Sequence, residues 1–474
     1  MMMLILYYVF LIASTVLIVR NAFKHWQINN DFTLPIITFF MFYFTIAGAY
    51  IFPLDAYFGF KGEAIGLHYL PIFQKLFTVH FDADYFQACF YYVLFILVFQ
   101  YLYYFFSLHI LKNKSVNRNS NLSTVNYNVN PYLILLLSCF LIFISFYILR
   151  EEIFYAIGNE KSIYLTTRAN KNPYYTIHQL ANEFCVLIPF IAYAFSLLKN
   201  KRYNIGWDTK KNTHRILFLA CLISSFYISF LGNRREILSG LVICVLICLN
   251  QFRTVNYKRF ALIFSMVLIF FLSNSFFRST IIPSKLNTVF HLEKSKVELK
   301  KEEFSVKGVA GSFIFSNELF YAHFSMYGSI HQHVPLTYGS SLVYLGSAVV
   351  PRAILPNRPP DIYTYYSKQV HAVEGQIYTL HHATAWYLNF GLVGILVGAI
   401  ILALIFSFAL WVQSHAFKSE SSFILLTKYL ISFLLCAQIV TFITAGPEAY
   451  KALIVEGLIL PIVLLRCCLT KQPI

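Results

Sequence analysis

Between Leu4 and Leu465 the chain returns repeatedly to apolar runs of bilayer-crossing length, and that repetition decides what it can fold into. A transmembrane helix needs about 20 predominantly apolar residues to cross roughly 30 Å of hydrocarbon. Eleven segments are read as spans, at 3–19, 34–52, 87–111, 131–149, 176–198, 216–231, 237–250, 260–277, 384–412, 423–445 and 449–465. Barrel strands are excluded, because runs such as Leu241–Leu249 are apolar on every side, whereas membrane strands alternate over about 10 residues. Charged residues make up 12% of the 474 and hydrophobic ones 58%. A water-soluble globular enzyme carries about 25% charged residues, so that class is excluded. The expected fold is an all-α polytopic membrane protein of eleven transmembrane helices, or twelve.

Basic residues flanking spans stay on the cytoplasmic side. The loops 20–33, 112–130, 199–215, 250–259, 413–422 and 466–474 hold 17 Lys/Arg against three acids, Asp31, Asp208 and Glu420. The alternate loops 53–86, 150–175, 232–236 and 446–451 hold nine Lys/Arg against nine acids. The first set is therefore expected in the cytoplasm, with the N-terminus outside and the C-terminus inside. Arg20 and Lys24 follow the first span with no basic residue before it, the reverse of a secretory signal, so that span is expected to be retained. The net charge of +16 is mostly this topology signal, spread over six loops, and predicts no nucleic-acid partner. All nine cysteines lie in or beside apolar spans, which leaves no disulfide framework outside.

The chain divides into an eight-span part (1–277), one long external loop (278–383) and a three-span part (384–474). Within the loop, Glu293–Glu303 mixes charge signs at helical spacing and reads as a solvated helix or linker. Gly308–Ile330 and Ser341–Val350 are too polar or too short to span and are expected to be interfacial or re-entrant helices over the bundle. Pro351–Pro360 is stiffened by its prolines and holds Arg352 and Arg358. Asp361–Tyr387 then gathers Tyr363, His371, Glu374, Tyr378, His381, His382 and Trp386. Its aromatics suit either the membrane interface or sugar stacking. A zinc site from His331, His333, His381 and His382 lacks metal-ligand spacing on one helix and has no cysteine, so no metal is expected.

Charges within spans are functional candidates because burying them costs several kcal/mol. They are Glu183, Lys428 and Glu456, of which Lys428 is placed to snorkel toward headgroups. The external turn Leu231-Gly-Asn-Arg-Arg-Glu236 defies the inside bias for positive charge and opens a helix whose N-terminal dipole adds to it, a combination suited to phosphate. Ala445–Lys451 is a second tight external turn, and Arg168 is a further external cation. Together Arg168, Arg234, Arg235, Arg352, Arg358 and Lys451 can surround a doubly charged group such as a lipid-linked diphosphate. No Gly-rich phosphate loop or Asp-x-Asp pair is present for nucleotide chemistry.

Gly232-Asn-Arg234 opening a span, Val350-Pro-Arg-Ala-Ile-Leu-Pro-Asn-Arg-Pro359 in a long external loop, and Tyr387-Leu-Asn-Phe-Gly-Leu-Val-Gly394 entering the next span resemble the Wzy-type polymerases of bacterial surface polysaccharides, which include O-antigen and enterobacterial common antigen polymerases. The turn between the last two spans departs from them, with Gly446-Pro447-Glu448 where related polymerases often carry an arginine and Lys451 as the substitute cation. The resemblance implies a GT-C-like bundle in the inner membrane and inverting glycosyl transfer at the periplasmic face. The growing glycan would leave undecaprenyl diphosphate and join the terminal sugar of a new lipid-linked repeat unit, without cofactor. A chain-length regulator of the Wzz type is the expected protein partner. Such a site must stabilise the departing diphosphate and take a proton from the acceptor hydroxyl. Arg234 leads the diphosphate candidates, followed by Arg235, Arg352 and Arg358. His381 or His382, then Glu374 and Glu448, are the candidate bases, with Tyr363, Tyr378 and Trp386 on the glycan. The rival activities are an O-antigen ligase or other glycosyltransferase acting on lipid-linked sugars, and a flippase for the same lipid-linked unit.

Overall fold

The computed structural model describes residues 2–29, 33–58, 81–112, 127–159, 163, 166, 175–197, 211–233, 236–237, 239–241, 317–347, 360–370, 379–416, 431, 435, 438–444, 446–447, 450, 459–467 and 469–471. Among these, helices dominate: α1 (Met2–Asn29), α2 (Thr33–Phe44), α3 (Ile46–Phe58), α4 (Ala83–Lys112), α5 (Pro131–Gly158), α6 (Tyr175–Leu197), α7 (Lys211–Phe230), α8 (Asn317–His331), α9 (Ser340–Ser347), α10 (Ile362–Gln369), α11 (His382–Ala416), α12 (Ile439–Thr444) and α13 (Leu460–Cys467). Two three-residue strands, β1 (Tyr127–Val129) and β2 (Leu469–Lys471), pair antiparallel with Asn128 opposite Thr470. Among the described residues five helices are long and apolar enough to cross a membrane: Met2–Ile28, Ala83–Ile110, Pro131–Gly158, Asn212–Phe230 and His382–Val412, the last interrupted at Phe390 and Gly391. This is an α-helical membrane protein. The spans read at 237–250 and 260–277 lie wholly or mostly outside the described residues, as do Lys428 and Glu456.

Periodicity hidden in the apolar sequence separates core from lipid. In α1 the buried positions are Tyr7, Leu11, Ser14, Ile18, Ala22 and His25, one stripe at steps of three and four, while Ile5, Leu6, Val9, Ile12 and Val16 face outward. A helix exposing such residues needs hydrocarbon around it.

The chain forms two compact units, one comprising 1–118, 314–414 and 438–454, the other 119–313, 415–437 and 455–474. In the first unit α8 packs against α2, α3 and α4. Ala322 through Tyr327 are buried on every side. The sequence reads this segment as an interfacial or re-entrant helix; in the structure it packs among helices of its unit. Small residues allow that burial. Ala322, Ser325, Gly328 and Ser329 let neighbouring helices approach closely, and the hydroxyls find partners inside, as described below.

In the second unit, α5 begins at Pro131, with Asn130 as its cap accepting from the amides of Tyr132 and Leu133 at 3.1 and 3.2 Å. It runs to Gly158, past the expected end at 149, because Ile153, Ala156 and Ile157 continue the buried stripe against Cys185, Val186 and Ile228. The extension brings Glu152 into the buried face. Helix α7 ends in a Schellman turn, Gly232 N–H donating to Ser229 O and Asn233 N–H to Ile228 O at 2.9 and 3.1 Å, with Gly232 at φ +77°. The tight turn read at Leu231–Glu236 is thus present up to the arginines.

Candidate functional site

The first unit holds a polar cluster of helical origin. Helix α11 starts at His382 because His381 caps it: Ala383 N–H donates to His381 Nδ1 at 3.1 Å, and His381 O accepts from Ala385 at 3.0 Å. An amide can only donate, so Nδ1 holds the lone pair and the imidazole proton sits on Nε2. That Nε2–H has no hydrogen-bond partner among the described residues, although the ring is fully buried. His382 is the reverse. Trp386 Nε1–H donates to His382 Nε2 at 3.0 Å, and the Tyr450 hydroxyl reaches the same nitrogen at 2.8 Å. Indole only donates, so His382 Nε2 carries the lone pair and Tyr450 donates as well. Two adjacent neutral imidazoles therefore present opposite faces of their chemistry.

Helices α4 and α8 wall this pair. Tyr92 lies edge-on to His381 with ring centroids 4.8 Å apart, and its hydroxyl reaches Ala322 O and His323 O, each at 2.9 Å. Ser325 Oγ accepts from the His381 amide at 3.1 Å and lies 2.8 Å from Thr384 Oγ1. His323 meets the Tyr85 hydroxyl through Nε2 at 2.8 Å. On the other side, Tyr363 accepts from the Gly446 amide at 2.9 Å, tying α10 to the last tight turn.

The backbone that delivers these groups is not one straight span. Phe390 and Gly391 leave helical geometry, Gly391 at φ +62° and ψ −142°, and the chain doubles back. A Cβ on Gly394 would lie 2.0 Å from the Trp386 carbonyl oxygen, so the short arm from His382 packs directly on the first turns of the long arm. Asn389 fixes the reversal, accepting from Ser341 Oγ at 2.8 Å and Thr337 Oγ1 at 3.0 Å. The continuous span read from 384 therefore starts only after Gly391, because a φ of this sign is open chiefly to glycine.

Burial holds both histidines outside the spans neutral. His323 is lowered to about 3 by burial, opposed in part by the Thr45 backbone, and His381 is lowered well below the usual value by burial and then by His382 and His323. The unfolded chain takes up protons near pH 6.5 that the folded chain refuses, so the stability is fully present above that pH and is lost as pH falls. Each such histidine costs about 1.4 kcal/mol per pH unit below that point. The thermal midpoint in detergent should drop between pH 7.5 and 5, and His323→Gln should flatten the slope. An unchanged slope in that variant would contradict a neutral buried His323.

Of the residues selected from sequence, the structure gathers His381, His382 and Trp386, with Tyr363 held to Gly446 in the same unit. Glu374, Glu448, Tyr378, Arg168, Arg234, Arg235, Arg352, Arg358 and Lys451 lie outside the described residues. Sequence reasoning missed Tyr92, Ser325, Thr384 and Tyr450. It also missed a closed ring in the second unit, where Ser145 Oγ donates to Asn182 Oδ1 at 2.7 Å and Asn182 Nδ2 to His178 Nε2 at 3.0 Å. His178 Nδ1–H and the Tyr227 hydroxyl then donate back to Ser145 Oγ at 2.9 and 2.6 Å. Its signal was available, since Ser138, Ser145 and Glu152 recur at heptad spacing along α5. The four-histidine zinc set does not assemble among the described residues. His331 Nδ1 instead lies 3.0 Å from Asp84 Oδ2 and 3.4 Å from Asp82 Oδ2, a group with the donor types of a divalent-cation site in which the imidazole itself bridges the carboxylates. Comparison with protein-family models, with curated proteins and with solved structures finds no match to this chain.

Proposed function

We propose that this protein is an inverting glycosyltransferase that polymerises undecaprenyl-diphosphate-linked repeat units at the periplasmic face of a bacterial inner membrane. The observation that carries the reading is the His381–His382 pair, two buried neutral imidazoles at the head of a broken membrane helix, one offering a lone pair and the other an N–H. Glycosyl transfer to a sugar hydroxyl needs a base that is unprotonated at the working pH, and a buried neutral imidazole meets that condition. In this reading His382 Nε2 takes the proton of the acceptor hydroxyl, which arrives where the Tyr450 hydroxyl now donates. The acceptor oxygen bonds to the anomeric carbon as the glycosidic electron pair leaves with the diphosphate. Trp386 and Tyr363 offer rings to the glycan. Arg234, then Arg235, Arg352 and Arg358, with Arg168 and Lys451, balance the diphosphate charge, and the energy of the reaction is already in the glycosyl-diphosphate bond.

The test is a gel of surface glycan from cells with and without the gene, resolving single repeat units. Lipid carrying one unit and no ladder supports a polymerase. Bare acceptor lipid with no unit overturns it in favour of a ligase or flippase. In the same assay Arg234→Ala should abolish the ladder at unchanged protein level, and Arg234→Lys should restore it only in part, since lysine keeps the charge and loses the two-pronged guanidinium. Unchanged ladder length in Arg234→Ala would remove that residue from diphosphate binding.

A further inference from the structure

With His382 Nε2 placed as the base, the neighbouring His381 is left without a part in the step, and its hydrogen bonds suggest one. His381 Nδ1 is committed to the Ala383 amide at 3.1 Å, which places the proton on Nε2. Nothing among the described residues accepts it. A buried N–H left without an acceptor costs about 1–3 kcal/mol, so the arrangement calls for an explanation. The surroundings do not make it an accident of loose packing. Tyr92 and Phe95 contact the ring edge-on, with centroids 4.8 and 5.9 Å away, and Ser325 holds the His381 amide. The ring is fixed on both sides and at its backbone, and its Nε2–H has no hydrogen-bond partner among the described residues.

Resting on the glycosyl-transfer reading above, we propose that His381 is an anion donor, its Nε2–H hydrogen-bonding a phosphate oxygen of the lipid-linked diphosphate as the glycosidic bond breaks. His382 keeps the role of base. The division balances the step: the acceptor proton goes to His382 Nε2, the glycosidic pair goes to the diphosphate oxygen, and His381 shares its hydrogen with that new charge without giving it up. A donor already aligned in a water-excluded site loses nothing to reorganisation when the charge develops.

Glutamine and asparagine distinguish donor, base and cap. His381→Gln carries an N–H near the position of Nε2 and cannot act as a base. His381→Asn keeps a good helix cap, and its amide ends short of that position. Full-length protein in detergent would be given the single-unit lipid extracted from cells lacking the gene, and one round of elongation timed, with size-exclusion elution as the check on folding. His381→Gln should stay within about tenfold of native and His381→Asn should fall by about 10²–10³, the usual loss for one such donor. Equal loss in the two variants overturns the donor assignment, as does full activity in His381→Asn. If native protein itself fails to elongate the lipid, the glycosyltransferase reading falls and takes this one with it. An active native protein with indistinguishable variants removes the donor alone.

Discussion

His382→Gln is expected to abolish the polymer ladder while the protein remains in the membrane at its native level. Glutamine is close to histidine in volume, and its carbonyl oxygen can accept from Trp386 and Tyr450, which now donate to His382 Nε2 at 3.0 and 2.8 Å. Packing at this fully buried position is therefore preserved. What is lost is the ability to hold a proton. A positioned base contributes about 10²–10⁴ in rate, so single-turnover elongation should fall by that factor. Tyr450→Phe should fall less, because it removes a partner of the base and leaves the base itself. Native elongation by His382→Gln would end the base assignment.

The second large effect is structural. Gly394→Val should remove most folded protein from the membrane, because its Cβ would stand 2.0 Å from the Trp386 carbonyl oxygen and 2.8 Å from its carbonyl carbon. Backbone cannot swing aside as a side-chain tip can. Overpacking ordinarily costs about 1–3 kcal/mol, and a clash with main chain belongs at or above the top of that range. Gly346→Ala is the control, since nothing lies within 4 Å of the Cβ it would add, and it should leave the yield unchanged. The measurement is the monodisperse fraction in size-exclusion of detergent extracts. Equal yields for the two variants would mean that the reversal at Gly391 does not form.

Gly394 also shows why part of this architecture escapes the sequence. In Phe390-Gly-Leu-Val-Gly-Ile-Leu-Val-Gly398 the glycines read as small residues inside one long span, and hydropathy does not register a reversal within an apolar run. The Asn389 hydrogen bonds that fix it come from Thr337 and Ser341, about 50 residues away. The burial of helix α8 is hidden for a related reason. At 15 residues with two histidines it is too short and too polar to pass for a span, yet hydroxyls of Tyr85 and Tyr92 make its burial affordable. What the sequence does reveal is local: the apolar helices, the turn after α7, and His381, His382 and Trp386 as neighbours four to five residues apart. The opposite protonation of the two histidines was not legible, because it depends on Trp386 and on Tyr450, the latter 68 positions away.

The short ladder between β1 and β2 imposes a parity rule on the whole chain. Two strands joined by backbone hydrogen bonds lie together, so where that ladder stands outside the hydrocarbon the chain between Val129 and Leu469 must cross the bilayer an even number of times. Eight spans are read from the sequence between them, an even number. A single extra crossing within that stretch would then break the ladder, so a lone twelfth helix would belong ahead of Tyr127. Three residue pairs thereby serve as a check on any threading of the about 340 residues between them.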